Sequence, residues 1–186
     1  MAEKFIDGFT EAARRVGAEV VVLKTAEEGA AYVREKAGGG VLLPPSSSLE
    51  RIGLGGLLRA AGAEVVEDHF RSAAPQAAAG VTGANFALAD TGTVVLESTA
   101  EAVRLTTTLP ERHFVFLDPR KILSDGLAAV PLLRRFNEQI PRNYLAYITG
   151  PSRTADIERV LTIGVHGPGE LHIMLLSGLS EDFLEM

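Results

Sequence analysis

A chain of 186 residues, 46% apolar and 23% charged, is long enough to bury one substantial core. Its net charge of −6 argues against a broad nucleic-acid or anionic-membrane surface. Cysteine is absent, which excludes disulfides, thiolate nucleophiles and cysteine-held iron–sulfur or zinc sites in this chain. Aromatics are few, so Val, Leu, Ile and Ala must fill the interior. Glu3, Lys4 and Asp7 follow Met1 without an apolar h-region, and no stretch approaches the roughly 18 apolar residues of a membrane span. A cytoplasmic single domain over residues 1–186 is the expectation.

Phe5, Phe9, Ala12, Ala13 and Val16 recur at helical spacing, with Gly17 as a stop. Residues 19–23 read as a strand, 26–37 as a helix closed by Gly38-Gly39-Gly40, and 41–43 as a buried strand stopped by Pro44-Pro45. Residues 46–61 carry the next helix, weakened by Gly53, Gly55 and Gly56, and 63–67 another strand. Apolar strands alternating with helices predict parallel pairing with helices on both faces. The alanine-rich stretch 73–80 reads as a loop, and 83–90 as one or two helical turns. A turn at Asp90-Thr91-Gly92 leads into a strand over 93–98. Residues 106–109 end at Pro110, and the strong strand 113–117 ends at Asp118-Pro119. Residues 122–136 read as helical, with Pro131 kinking the helix or opening a new segment. Strands over 144–149, 163–166 and 172–176, and a helix over 154–161, complete the pattern.

Polar groups and special backbone positions concentrate in Gly150-Pro151-Ser152-Arg153-Thr154-Ala155-Asp156-Ile157-Glu158 and in Gly164-Val165-His166-Gly167-Pro168. Ser152 or Thr154 can cap the helix expected after Pro151, with Asp156 and Glu158 in its first turn. The same terminus, from Gly150 on, can seat a phosphate or carboxylate on free N–H groups with Ser152, Arg153 and Thr154, if the two carboxylates face away. His166, flanked by Gly167 and fixed by Pro168, is either a loop brace or a group that exchanges a proton near neutral pH. His113 and His172 read as structural imidazoles. Histidines at such unlike positions, with no HExxH, do not make a metal site. Asp90, Thr91, Gly92 and Thr93 form a turn whose carboxylate can accept its own loop's N–H groups. Glu97, at the end of the strand that follows, is a candidate general base, and Arg104 is the anion partner for it or for a substrate. A Walker or dinucleotide glycine fingerprint is absent.

Four pieces taken together resemble the LUD-domain family of LutC-type lactate-utilisation proteins. They are residues 83–89, residues 90–95, the Gly-Pro-Ser-Arg-Thr-Ala-Asp stretch from Gly150, and Gly164-Val165-His166-Gly167-Pro168 followed by Leu171. The resemblance implies a three-layer α/β/α fold with a mainly parallel sheet, related to the ribose-phosphate isomerase, glucosamine-phosphate deaminase and CoA-transferase group. It also implies an accessory role in oxidising L-lactate to pyruvate beside iron–sulfur partner proteins, with no cofactor in this chain. An anion-accepting cleft is expected at the carboxyl ends of the parallel strands. Residues 150–154 and 164–168 would form its walls, and 90–93 its floor. A stand-alone isomerase-, deaminase- or transferase-like enzyme on a phosphorylated sugar or CoA ester, and a non-catalytic scaffold, are the alternatives.

Overall fold

The computed structural model describes residues 5–139, 142–154 and 161–186. The chain opens with α1 (Ile6–Arg15), β1 (Glu19–Leu23), α2 (Ala26–Ala37), β2 (Val41–Leu42), α3 (Ser47–Arg51), α4 (Leu54–Ala60) and β3 (Val65–Val66). It continues with α5 (Phe70–Ala73), β4 (Ala79–Gly83), β5 (Phe86–Leu88), β6 (Thr93–Glu97), α6 (Glu101–Thr108) and β7 (Arg112–Leu117). Then come β8 (Ile122–Leu123), α7 (Gly126–Gln139), β9 (Leu145–Ile148), β10 (Arg153–Thr154), β11 (Thr162–Ile163) and β12 (Glu170–Leu176).

Six of these strands form an all-parallel central sheet in the order β1-β12-β7-β4-β2-β3. Alternation along the strands sends side chains to two cores, as the pleat requires. Val81, Phe114, Phe116, Met174 and Leu176 meet Val33 of α2, Leu49 of α3, and Leu54 and Leu58 of α4 on one face. Val20, Val115, Leu117, Ile173 and Leu175 meet Phe9 and Ala13 of α1 on the other. There a second sheet, β8-β5-β6-β9, contributes Ala87, Val94 and Ile122. Its outer side packs Phe86, Leu88 and Val95 against Ala129, Leu132 and Phe136 of α7. The result is a three-layer α/β/α fold carrying both parallel and antiparallel pairings. Among the described residues, no helix is long and apolar enough to cross a membrane.

The opening third follows the sequence pattern, with α3 and α4 separated where Gly53 takes φ 65°. The middle departs from it. Part of the expected loop 73–80 belongs to β4, a strand buried at every position, and part of the expected helical segment 83–90 is β5. Residues 122–123 pair in a strand, and the helix expected from 122 starts at Gly126, where the Asp125 carboxylate accepts from the Ala128 amide at 2.9 Å. Pro131 lies inside α7. Only Thr162–Ile163 of the expected strand 163–166 region is extended and paired.

The reason β4 is built from small residues is close approach. A β-carbon on Gly80 would stand 2.1 Å from the Thr106 carbonyl oxygen of α6, so the helix lies directly on the strand's backbone. Gly80→Ala must push backbone against backbone, and it is expected to cost about 2–4 kcal/mol by urea unfolding. Gly56→Ala in α4 meets nothing within 4 Å and should be neutral or stabilising by up to ~1 kcal/mol. Equal midpoints for the two variants would remove the close-packing account.

Candidate functional site

The two glycine-rich turns singled out in the sequence are bonded to one another. Ser152 donates its amide to the Pro168 carbonyl at 2.9 Å, and Gly164 donates to the Ser152 carbonyl at 3.0 Å. Gly150 takes φ 76°, and a β-carbon there would stand 2.3 Å from the Val16 carbonyl oxygen, so the turn is wedged against the α1–β1 connection. Arg153 and Thr154 stand in β10, opposite Ile163 and Thr162. The helix expected over 154–161, with Asp156 and Glu158, falls mostly on residues 155–160, which lie outside the described residues.

Gly150, Ser152, His166 and Gly167 line one recess of about 260 Å³. Thr107 and Thr108 from the end of α6, His113 of β7, Tyr147 of β9 and Leu171 of β12 complete its main walls. His113 and Leu171 are the second residues of their strands and sit opposite each other in register. The recess therefore opens at the amino ends of β7 and β12. This corrects the expected position at the carboxyl ends, and the physical cause is β9. That strand runs antiparallel to β6 and delivers Gly150 beside the start of β1 rather than its end.

Among the described residues, no carboxylate, ammonium or guanidinium lines this recess; the polar groups there are hydroxyls, imidazoles and backbone. His113 is 1% exposed and shares a 2.9 Å hydrogen bond between Nε2 and the Thr82 hydroxyl. Burial, reinforced by His172, pushes its pKa down to about 3, so the imidazole is neutral under ordinary conditions. Burial also pushes the Tyr147 phenol up. His166 is exposed at the rim.

The remaining predicted residues lie elsewhere. Gly92 takes φ 66°, and a β-carbon there would meet the Ala13 amide nitrogen of α1 at 2.2 Å. Thr91 donates to the Asp90 carboxylate at 3.3 Å and shares a hydrogen bond with Thr93, which in turn bonds Thr149 at 2.8 Å. This turn buttresses the strand leading to Gly150 and is not a floor of the recess. Glu97 stands at the other end of β6, where its carboxylate accepts from the Thr99 amide at 2.8 Å. Arg104 donates to the Ser98 and Thr99 carbonyls, and Arg153 donates to the Val16 carbonyl. Both guanidiniums brace loop backbone, and neither lines the recess.

Charge gathers instead at the carboxyl end of β7, in residues the motif reading passed over. Asp118 is 1% exposed and accepts from Arg120 and from the Gly178 amide. Burial pushes its carboxyl up, but the Arg120 hydrogen bonds and charge outweigh that and hold it below the usual range. Lys121 is 2% exposed, and burial pulls its ammonium down to about 8 against the attraction of Glu185, Asp118 and Asp182. The sequence signal available was three charged residues directly after a buried parallel strand, the usual place for ligands in open sheets. Among the described residues, no group of three or more His, Asp or Glu side chains is placed to hold a metal ion.

Residues 6–176 match the LUD domain model, and the chain belongs to the LUD domain family. It is 33% identical over 154 residues to lactate utilization protein C of Bacillus subtilis, covering 76% of this chain and 64% of that protein. The corresponding protein of Bacillus licheniformis is 34% identical over 144 residues, covering 70% and 60%. Uncharacterized protein YkgG of Escherichia coli is 33% identical over 153 residues, covering 78% and 66%. The chain thus spans 60–66% of the length of these three relatives. The fold also matches the crystal structure of a duf162 family protein from Deinococcus radiodurans, with TM-score 0.69 and 19% identity over 95% of this chain and 99% of that one.

The buried neutral imidazole has a measurable consequence. With a folded pKa of about 3 against an ordinary 6.5, the unfolded chain takes up the proton first as pH falls. Stability is therefore unaffected above about 6.5 and declines from there toward 3, at up to ~1.4 kcal/mol per pH unit. Between pH 7 and 5 the wild type should lose about 2 kcal/mol through His113. His113→Gln, which can keep the Thr82 hydrogen bond, should show that much less decline in urea titrations at the two pH values. Parallel declines would mean that His113 is protonated in the folded protein.

Proposed function

We propose that this chain is a component of an L-lactate oxidation system and works beside iron–sulfur proteins that carry the electrons. Its similarity to lactate utilization protein C carries the reading. Oxidising a 2-hydroxy acid to a 2-oxo acid removes two electrons and two protons, and hydroxyls, imidazoles and amines cannot store the electrons. With no cysteine in the sequence, a thiolate-held cluster must belong to another chain. What this chain can offer is binding, orientation and a proton acceptor. The recess between the 150–153 and 164–168 turns supports that division, because it combines hydroxyls with one exposed imidazole, His166. The finer kinship of fold, with the ribose-phosphate isomerase, glucosamine-phosphate deaminase and CoA-transferase group, is part of the same proposal and rests on the three-layer arrangement around a parallel sheet.

Deleting the gene should abolish growth on L-lactate as sole carbon source, and the protein captured from native extract should bring an iron–sulfur protein with it. Unchanged growth together with capture of no iron–sulfur protein removes the reading. At the residue level, His166→Asn keeps size and polarity but cannot titrate near neutral pH. It should abolish complementation of the deletion while the melting temperature moves by less than about 2 °C. Full complementation with a loss of several degrees would make His166 a brace between the turns.

A further inference from the structure

Where β2 and β4 lie side by side, their outgoing connections diverge. The chain leaving β2 runs through α3 and α4 to β3 on one side, and the chain leaving β4 runs through β5, β6 and α6 to β7 on the other. This is the switch point of the sheet, where a crevice opens at the carboxyl ends of the strands. Here the crevice is filled by the chain's own residues 179–186, which fold back over it as a strap after Gly178. Donors from Ser46, Ser48, Arg51, Asn85 and Lys121 are engaged by strap oxygens. Ser46 donates its hydroxyl to the Met186 oxygen at 2.6 Å, and Ser48 donates its amide to the same atom at 3.2 Å. Asn85 donates its side-chain amide to the Phe183 carbonyl at 3.2 Å, and Lys121 donates its ammonium to the Glu185 carbonyl at 2.7 Å. Arg51 donates to the Leu179 carbonyl at 2.7 Å and pairs with the Glu185 carboxylate.

We propose that this crevice is a binding site for a small 2-hydroxy or 2-oxo carboxylate, with the strap as its built-in occupant. Three observations support it. First, Lys121 is an almost wholly buried ammonium whose hydrogen-bond acceptor in the structure is a neutral carbonyl; an anionic oxygen in that place makes a shorter and stronger bond. Second, the backbone is cleared for an occupant. A β-carbon on Gly83 would stand 2.8 Å from the Met186 carbonyl carbon and 3.2 Å from the hydroxyls of both Ser46 and Ser48. Third, the crevice continues from Ser46 into an open cavity of about 250 Å³ bordered by Leu43, Pro44, Leu49, Gly55 and Glu67, which gives a ligand a way in without unfolding.

The donor set selects the class. Asp118 pairs with Arg120, and the hydrogen-bond acceptor of Lys121 is a carbonyl rather than a carboxylate, so the ammonium suits one carboxylate. Ser46, Ser48 and Asn85 are left for the neighbouring hydroxyl or carbonyl oxygen. The strap imitates such a ligand with carbonyl oxygens and is clipped down by Glu185 and by Glu181, which pairs with Arg120. A bound acid and the strap therefore compete for the same donors. The inference deepens the lactate reading, on which its choice of ligand rests.

Hydrogen exchange and isothermal titration on the full chain, with L-lactate, pyruvate and inorganic phosphate as separate probes, test it. L-lactate or pyruvate should speed exchange across residues 182–186 by releasing the strap. Lys121→Met should weaken that binding by roughly 10- to 150-fold, the loss of one charged hydrogen bond. Glu185→Gln loosens the strap and should tighten binding about 2- to 5-fold, a change of sign that a merely structural role would not give. The proposal is overturned if neither acid binds the wild type or Glu185→Gln, if Lys121→Met binds unchanged, if the strap is protected rather than released, or if phosphate alone binds. Loss of the crevice result with lactate-dependent growth intact in Lys121→Met would sink this site and leave the lactate reading standing. Carboxylate binding here with growth independent of the gene would do the reverse.

Discussion

Strand β12 is inserted between β1 and β7, so the last strand of the chain must slot between the first strand and one from its middle before the central sheet exists. Its six residues from Leu171 to Leu176 are buried, and each is laddered to a neighbour. Both cores depend on it, since Met174 and Leu176 complete one and Ile173 and Leu175 the other. Such non-local parallel pairing closes long loops before it yields contacts. The recess and the crevice described above lie at the two ends of this strand. The turns of the 150–168 region lead into its amino end, and the strap leaves from its carboxyl end.

The buried titratable groups described in this arrangement are held by hydrogen bonds. His172, 1% exposed, reaches the Tyr32 hydroxyl with one ring nitrogen and the Glu170 carboxylate with the other, and it stacks on Phe114 at 4.6 Å between centroids. His113, on the opposite face of the sheet, stays neutral and bonds Thr82. Asp118 accepts from both Arg120 and the Gly178 amide, which fixes where β12 ends and the strap begins. Lys121 differs, because its acceptor is a carbonyl of the 179–186 segment rather than a carboxylate.

How far the sequence can be read depends on whether an element is shaped by its own residues or by a neighbour's. The β1, α2, β6 and β7 segments carry clear periodicity and were legible. The β4 segment, Ala79-Gly80-Val81-Thr82-Gly83, looks like a loop because its glycines answer to other chain segments. Gly80 admits Thr106 of α6, and Gly83 admits Met186. The α6 helix is rich in threonine near its end, a composition that favours strand over helix until packing decides. The site divides the same way. The 150–153 and 164–168 turns were visible because glycine and proline mark special backbone locally. Lys121 carries no local mark in the sequence, since the segment that receives its hydrogen bond lies more than sixty positions away in the chain.

The two ends of the sheet differ in chemistry. Among the described residues, the amino-end recess is lined by hydroxyls, imidazoles and backbone, with no charged side chain. The carboxyl-end crevice is charged, closed by an internal occupant and able to discriminate by charge. An acid bound at the second end would free the 179–186 segment, whose Phe183 and Leu184 pack against the α7 side of the small sheet. Release would therefore bare apolar surface on that side. Coupling of this kind needs no change in the central sheet, because the strap makes different contacts in the bound and free states. The 179–186 segment thus links occupancy of the crevice to the surface of the small sheet.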